Sequence, residues 1–207
     1  MTSAIRILTV DDHPVLREGV AAMLGNQPDM ALVGEARSGA EAVALYGALA
    51  PDVVLMDLQM PGMNGVEAIR VIRETHPEAR ILVLTTSAGD AQALRALRAG
   101  ARGYILKSGL RTDMLDAIRR VSQGARYIHR DVADEIALHA VDGGLSEREA
   151  QVLTLVAQGQ GNKEIGRSLG LSAETVKGHL KTTFVKLGVT DRTHAVTVAL
   201  RRGIIDP

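Results

Sequence analysis

Five residues in four separate segments could carry chemistry in this chain: the acid pair Asp11 and Asp12, the lone acid Asp57, the hydroxyl of Thr85 and the ammonium of Lys107. Each stands at the end of a short aliphatic run: IRILTV before Asp11, VVLM before Asp57, ILVL leading into Thr85 and GYIL before Lys107. Clustered carboxylates repel one another unless a hard cation sits among them, and an oxygen-only donor set favours Mg2+. A carboxylate held beside such a cation can attack a phosphoryl group and form an aspartyl phosphate. An ammonium would neutralise charge on the transferred group, and a hydroxyl would donate a hydrogen bond to it. The set suits phosphoryl transfer, provided the chain gathers the four segments in one place.

The elements that must do the gathering are legible. Candidate strands lie at Ile5–Val10, Ala31–Ala36, Val53–Met56, Ile81–Thr85 and Gly103–Leu106. Runs such as VVLM and ILVL are apolar throughout, as parallel strands covered on both faces are. Amphipathic helical patterns alternate with them near Pro14–Leu24, Ala40–Leu49, Gly65–Thr75, Asp90–Ala99 and Leu110–Gln123. Pro14 suits a helix start, where its missing N–H costs nothing. Five βα units imply right-handed crossovers and an α/β fold, a five-stranded parallel doubly wound sheet. Ligands of such sheets bind beyond the carboxyl ends of the strands, where the five residues converge.

DDHP at 11–14, VVLMDLQMPGMNG at 53–65, LTT at 84–86 and GYILK at 103–107 resemble the signatures of receiver domains, in order, over roughly residues 5–122. The resemblance implies that Asp57 is the phosphoacceptor. It implies that Asp12 and Asp57 bind Mg2+ directly with the backbone carbonyl of Gln59, and that Asp11 acts through water. Thr85 would be the switch hydroxyl, Tyr104 the aromatic that changes rotamer with it, and Lys107 the cation on the phosphoryl group. His13, beside the acid pair, reads as a helix-start cap or packing residue rather than a metal ligand. Ser108 stands where many receivers have proline after the lysine.

After Gln123 the strand signals stop. Residues 124–144 hold one short helical pattern near Asp131–Ala140 and then Asp142-Gly143-Gly144, a plausible hinge. From Leu145 everything reads as helix: Ser146–Gln158, Asn162–Leu169, Ala173–Leu187 and Arg192–Arg202. Ser146 and Glu149 fit a capping box. A helix, a short glycine-containing turn and a second helix with basic residues on one face are the parts of a helix-turn-helix. LSERE, NKEI, LGLS, TVKGHL, KLGV and DRTHAV between Leu145 and about Ile204 are similar to the LuxR-type four-helix domain of NarL/FixJ-class regulators.

In that likeness Thr175–Leu187 is the recognition helix, and Lys177, Gly178 and Lys181 hold the positions that reach base edges. Glu174, Thr175, Thr182 and Lys186 are neighbouring candidates for base or phosphate contacts. Val176, Leu180, Phe184 and Leu187 recur at helical spacing and form the core face, and His179 is an interior or turn-packing residue. Gly178 is costly in a helix interior, by about 1 kcal/mol relative to Ala, and would allow close backbone approach to DNA. The last helix offers Ala195, Val196, Val198 and Ala199 either to a dimer seam or to the intradomain core.

The bulk numbers agree with this division. The 207 residues suit two domains, expected at 1–123 and 145–207 with a linker at 124–144. The formal net charge is zero, yet residues 145–207 carry 9 Lys/Arg against 6 Asp/Glu, and residues 1–123 carry 13 against 14. A basic C-terminal part suits phosphate contact. Cysteine is absent, which excludes disulfides and Cys-ligated zinc. No apolar run approaches a membrane span and no leader pattern opens the chain, so a cytoplasmic location is expected. The expected function is that of a two-component response regulator, not an enzyme: a sensor histidine kinase phosphorylates Asp57, and the protein dimerises on double-stranded DNA. Rival readings are a phosphorylation-independent DNA-binding regulator with the receiver as dimerisation scaffold, a metal-dependent phosphatase or phosphotransferase, and a ligand-sensing LuxR protein.

Overall fold

The computed structural model describes residues 4–86, 90–107, 110–130, 132–134 and 145–205. They fall into two compact units, one α/β and one helical. The α/β part of the chain runs β1 (Ile5–Val10), α1 (Pro14–Gly25), β2 (Met30–Ala36), α2 (Gly39–Leu49), β3 (Val53–Met56), α3 (Gly65–Thr75), β4 (Ile81–Thr85), α4 (Asp90–Ala99, with the first unit from Ala93 on), β5 (Gly103–Leu106), α5 (Leu110–Ser122) and β6 (Tyr127–Ile128). All its strand pairs are parallel, in the order β2-β1-β3-β4-β5-β6. The strand order reverses at β1 and β3, so a crevice opens beyond their carboxyl ends.

β3 and β4 are buried along their whole length, as the unbroken apolar runs require. The two-residue period divides them between faces. Ile7, Leu55, Leu82, Leu84 and Ile105 pack with Val20 and Leu24 of α1 and Met114 and Ile118 of α5. Leu8, Val54, Met56 and Val83 are equally buried, and their alternation points them to the opposite face. Local chemistry sets the helix starts. The Ser38 hydroxyl accepts from Glu41 N–H at the start of α2, and Asn64 and Glu67 form a reciprocal capping box on α3.

The sheet has six strands, not the five expected. Tyr127 pairs with Gly103 and Ile128 with Tyr104, in a stretch that the sequence reading gave to the linker. Other element ends differ from the expected ones by a residue, as with α5 ending at Ser122. Of the helical pattern expected at 131–140, residues 132–134 are helical. The rest of it, the 142–144 hinge and Ser108 lie outside the described residues.

The second unit comprises α6 (Glu147–Ala157), α7 (Asn162–Leu169), α8 (Ala173–Leu187) and α9 (Arg192–Arg201). Ser146 and Glu149 form the capping box expected for α6. Gly170 ends α7 with φ 68°, a left-handed conformation that glycine adopts without Cβ strain and that turns the chain into α8. Val152, Leu153, Val156, Ile165, Val176 and Leu180 form the core together with Ala195, Val198 and Ala199. Those three α9 residues are therefore intradomain core; burial removes them from a dimer seam, and Val196 is half-buried against the same cluster. Among the described residues no helix is long and apolar enough to cross a membrane.

Candidate functional site

The sheet ladder extends one residue past the strands and carries the acids with it. Asp11 N–H donates to the carbonyl of Ala36 at 3.1 Å, and Asp57 N–H donates to the carbonyl of Val10 at 2.9 Å. Asp11 and Asp57 thus stand side by side at the ends of β1 and β3. Thr85 ends β4 opposite Leu106 of β5, and Lys107 follows directly. The start of α3 closes the floor: a Cβ on Gly65 would lie 2.0 Å from the Asp57 carbonyl oxygen, so only glycine lets that helix pack against the acid's backbone. Gly65 ends the VVLMDLQMPGMNG signature, and this close approach is a packing demand that its place there did not specify.

Lys107 ties the cluster together. Its Nζ lies 2.6 Å from Asp11 Oδ2 and 2.8 Å from Asp57 Oδ2. Asp11 and Asp57 are 1% and 2% exposed, Lys107 10% and Asp12 29%. Burial pushes the Asp57 carboxyl above its ordinary range, and the Lys107 ammonium only partly offsets this. Lys107 is also desolvated, yet hydrogen bonds to Asp11 and Asp57 hold its ammonium above the usual lysine range. Gln59 N–H approaches Asp57 Oδ1 at 3.4 Å.

Arg17 went unremarked in the sequence. Its buried guanidinium donates to the Asp11 carbonyl at 2.7 Å and to Glu35 at 3.2 Å, fixing the backbone at the acid pair. Its only signal was a cation one turn into α1. His13 departs from expectation. It sits at the N-cap position of α1 without a side-chain cap bond. The ring is 69% exposed, with Nδ1 3.1 Å from Asp11 Oδ1 and 2.9 Å from Asp12 Oδ1.

Tyr104 is the largest fully buried side chain among the described residues, and Thr85 is fully buried beside it. The two side chains are hydrogen-bonded, and burial raises the Tyr104 phenol well above its ordinary value. The aromatic and the hydroxyl expected to act as a pair are in contact.

Donor atoms of Asp11, Asp12, His13 and Asp57 all lie within 4.8 Å of one another. Three carboxylates share the cluster and only two of them, Asp11 and Asp57, meet the Lys107 ammonium, leaving an excess of negative charge that a divalent cation would balance. Oxygen-rich donors at this spacing fit such an ion.

In the helical unit, Glu174, Thr175, Lys177, Gly178, Lys181 and Thr182 all lie on the exposed side of α8. Val176 and Leu180 are buried on the other side, with Phe184 and Leu187 packed against the same core. His179 is half-buried. Lys177 pairs loosely with Glu174 at 3.6 Å. Lys186 differs from its neighbours: its ammonium lies 2.8 Å from Oε2 of the buried Glu149, joining α8 to the capping box of α6. Val185, on the same helix, is 76% exposed.

Residues 7–119 match the family model of the response regulator receiver domain, and residues 144–199 match that of the bacterial regulatory proteins of the luxR family. The chain is similar to the transcriptional regulatory protein LiaR of Bacillus subtilis, with 39% identity over 210 residues, covering 98% of this chain and 100% of that one. A solved two-component response regulator of the LuxR family from an Aurantimonas species is 44% identical, with a TM-score of 0.64, covering 67% of this chain and 99% of that one. RcsB from Salmonella enterica serovar Typhimurium, solved bound to a promoter in the presence of a phosphomimetic, is 28% identical, with a TM-score of 0.75, covering 95% and 98%.

Proposed function

This chain belongs to the response regulators that join a receiver domain to a LuxR-type DNA-binding domain, and from that membership we propose that phosphorylation of Asp57 by a sensor histidine kinase controls its dimerisation and its binding to double-stranded DNA. The observation that carries this reading is the Lys107 ammonium shared between Asp11 and Asp57 at 2.6 and 2.8 Å. A buried carboxylate beside a cation and two further acids is equipped to accept a phosphoryl group.

An Asp57 oxygen attacks phosphorus, the new O–P bond forms as the bond to the donor breaks, and the donor leaves with the electron pair. Lys107 then balances the added charge and the Thr85 hydroxyl donates to a phosphoryl oxygen. Asp12, Asp57 and the carbonyl of Gln59 would hold Mg2+, with Asp11 acting through water. The ion would supply charge neutralisation at the phosphoryl oxygens. Thr85, drawn toward the phosphoryl group, would leave its contact with Tyr104 and release the aromatic.

We assign residues 1–123 to the receiver, 124–144 to the linker and 145–207 to the DNA-binding domain. The exposed side of α8 would enter the major groove with Lys177, Gly178 and Lys181 toward base edges and Thr175 and Thr182 beside them. Glu174 and Lys186 take a different part, the first screening Lys177 and the second bracing α6. A dimer on paired half-sites supplies the base pairs that one small domain cannot read alone. The protein acts as a cytoplasmic regulator of transcription and not as an enzyme on an outside substrate.

The test is operator affinity, using a duplex selected from random sequence, with and without a small phosphodonor plus Mg2+. Affinity should rise with the donor in the wild type and stay flat in Asp57→Asn. An equal response from the variant would remove Asp57 from the mechanism.

A further inference from the structure

One side chain at the acid cluster is left over by the mechanism above. His13 faces two carboxylates, and Asp11 divides its oxygens between two partners. Oδ2 takes the Lys107 ammonium at 2.6 Å, while Oδ1 takes His13 N–H at 2.8 Å and faces the ring Nδ1 at 3.1 Å. Asp12 Oδ1 faces the same Nδ1 at 2.9 Å. The backbone at His13 has φ −88° and ψ 110°, an extended cap conformation that turns the side chain back over the acids while α1 leads away. The imidazole makes no cap bond and is 69% exposed.

The spacing is that of ligands. Adjacent corners of an octahedron with bonds of about 2.1 Å stand about 3 Å apart, which is the separation of Nδ1 from the Asp12 oxygen, while Asp11 keeps its place beyond the first ring of ligands. In the tautomer with its proton on Nε2, Nδ1 presents a lone pair to the carboxylate oxygens, and a metal ion among them would offset the repulsion; in the other tautomer the Asp11 contact is a hydrogen bond. An imidazole nitrogen is a poor partner for Mg2+ but a good one for borderline transition ions, whose affinity for nitrogen rises toward the end of the first row.

We propose that His13 is a nitrogen donor to the receiver's cation site and gives that site a preference for transition ions such as Zn2+ over Mg2+. This rests on reading the acid cluster as a cation site. The site would then be sensitive to which divalent ion is present as well as to phosphoryl donors.

The experiment uses the full-length protein loaded with Mn2+ and electron spin echo envelope modulation, which detects a directly bound imidazole nitrogen. Wild type should show nitrogen modulation that vanishes in His13→Ala. Competition followed by the free Mn2+ signal gives the second readout. The ratio of Zn2+ to Mg2+ affinity should fall about tenfold or more in His13→Ala, an effect of the size seen when metal-site partners are removed, with Mg2+ affinity unchanged. Asp12→Asn should abolish Mn2+ binding in both assays, which separates this site from the other histidines. Bound Mn2+ without nitrogen modulation, or an unchanged affinity ratio, would overturn the role of His13 while leaving the cation site intact. Tighter Mg2+ binding in His13→Ala would also overturn it, by showing the imidazole to be a counter-ion. Absence of Mn2+ binding in wild type would instead sink the cation-site reading on which the inference stands.

Discussion

The Lys107 ammonium lies 2.8 Å from an oxygen of Asp57, across 50 residues of chain. This pair closes the carboxyl edge of the sheet, because the same ammonium reaches Asp11 at 2.6 Å. Replacing Lys107 by Met leaves two buried carboxylates without their shared cation and removes the charge that meets the phosphoryl group. Phosphorylation of Asp57 by a small donor should slow by about 10²-fold, the usual cost of losing one preorganised electrostatic partner. Intact-mass time courses measure it, and a rate within twofold of wild type would contradict it.

Asp57 also gives the receiver a pH signature. Burial raises its carboxyl above the ordinary value of 3.8. A carboxyl raised in the folded state favours its protonated form there. Its contribution is fully present below pH 3.8 and is lost as pH rises through the raised folded value. Asp57→Asn removes that cost, so the variant should be more stable than wild type at pH 7, with the gap closing toward pH 4. Urea melts at the two pH values decide it, and a variant less stable at pH 7 would refute the sign.

Glu149 behaves in the opposite way. Despite its burial, Lys186 and Ser146 hold its carboxyl below the ordinary 4.5. Its stabilisation is present above pH 4.5 and is lost as pH falls through the lowered value. Lys186→Met should cost the DNA-binding domain roughly 1–2 kcal/mol at pH 7, as expected for a lost hydrogen bond to a charged group. The deficit should shrink in acid. Because this ammonium is already paired, the salt dependence of DNA binding should keep its slope in Lys186→Met, whereas Lys181→Ala should reduce the slope by about one. Equal slopes for the two variants would count against this division of labour.

Gly178 has nothing within 4 Å of where a Cβ would stand, so the fold does not require it. Gly178→Ala should stabilise the isolated protein by about 1 kcal/mol and weaken operator binding, because the added methyl lies on the exposed side of α8. Thermal melts and operator titrations read the two effects. A stabilised variant with unchanged affinity would show that no close approach occurs there.

Much of this was legible in the sequence because parallel topology turns strand ends into a site. Asp11, Asp57, Thr85 and Lys107 each close an apolar run, and those runs could be read without knowing any distance. β6 was illegible because Tyr127 and Ile128 make two residues between Arg126 and His129, too short for periodicity. The Lys186–Glu149 and Arg17–Asp11 contacts were hidden for another reason, since a lysine on a basic face and an arginine on an amphipathic helix look solvated until their partners arrive. The His13 orientation depends on a single backbone conformation that no pattern encodes. Ala195, Val198 and Ala199 fitted a seam and a core equally well by spacing, and only the packing of α9 decided between them.

The most direct test of the central claim is the intact mass of the full-length protein after treatment with a small phosphodonor and Mg2+. The wild type should gain one phosphoryl group, located at Asp57 by trapping and peptide analysis, and Asp57→Asn should gain none. A phosphoryl group found on any other residue, or an equal gain in Asp57→Asn, would contradict it.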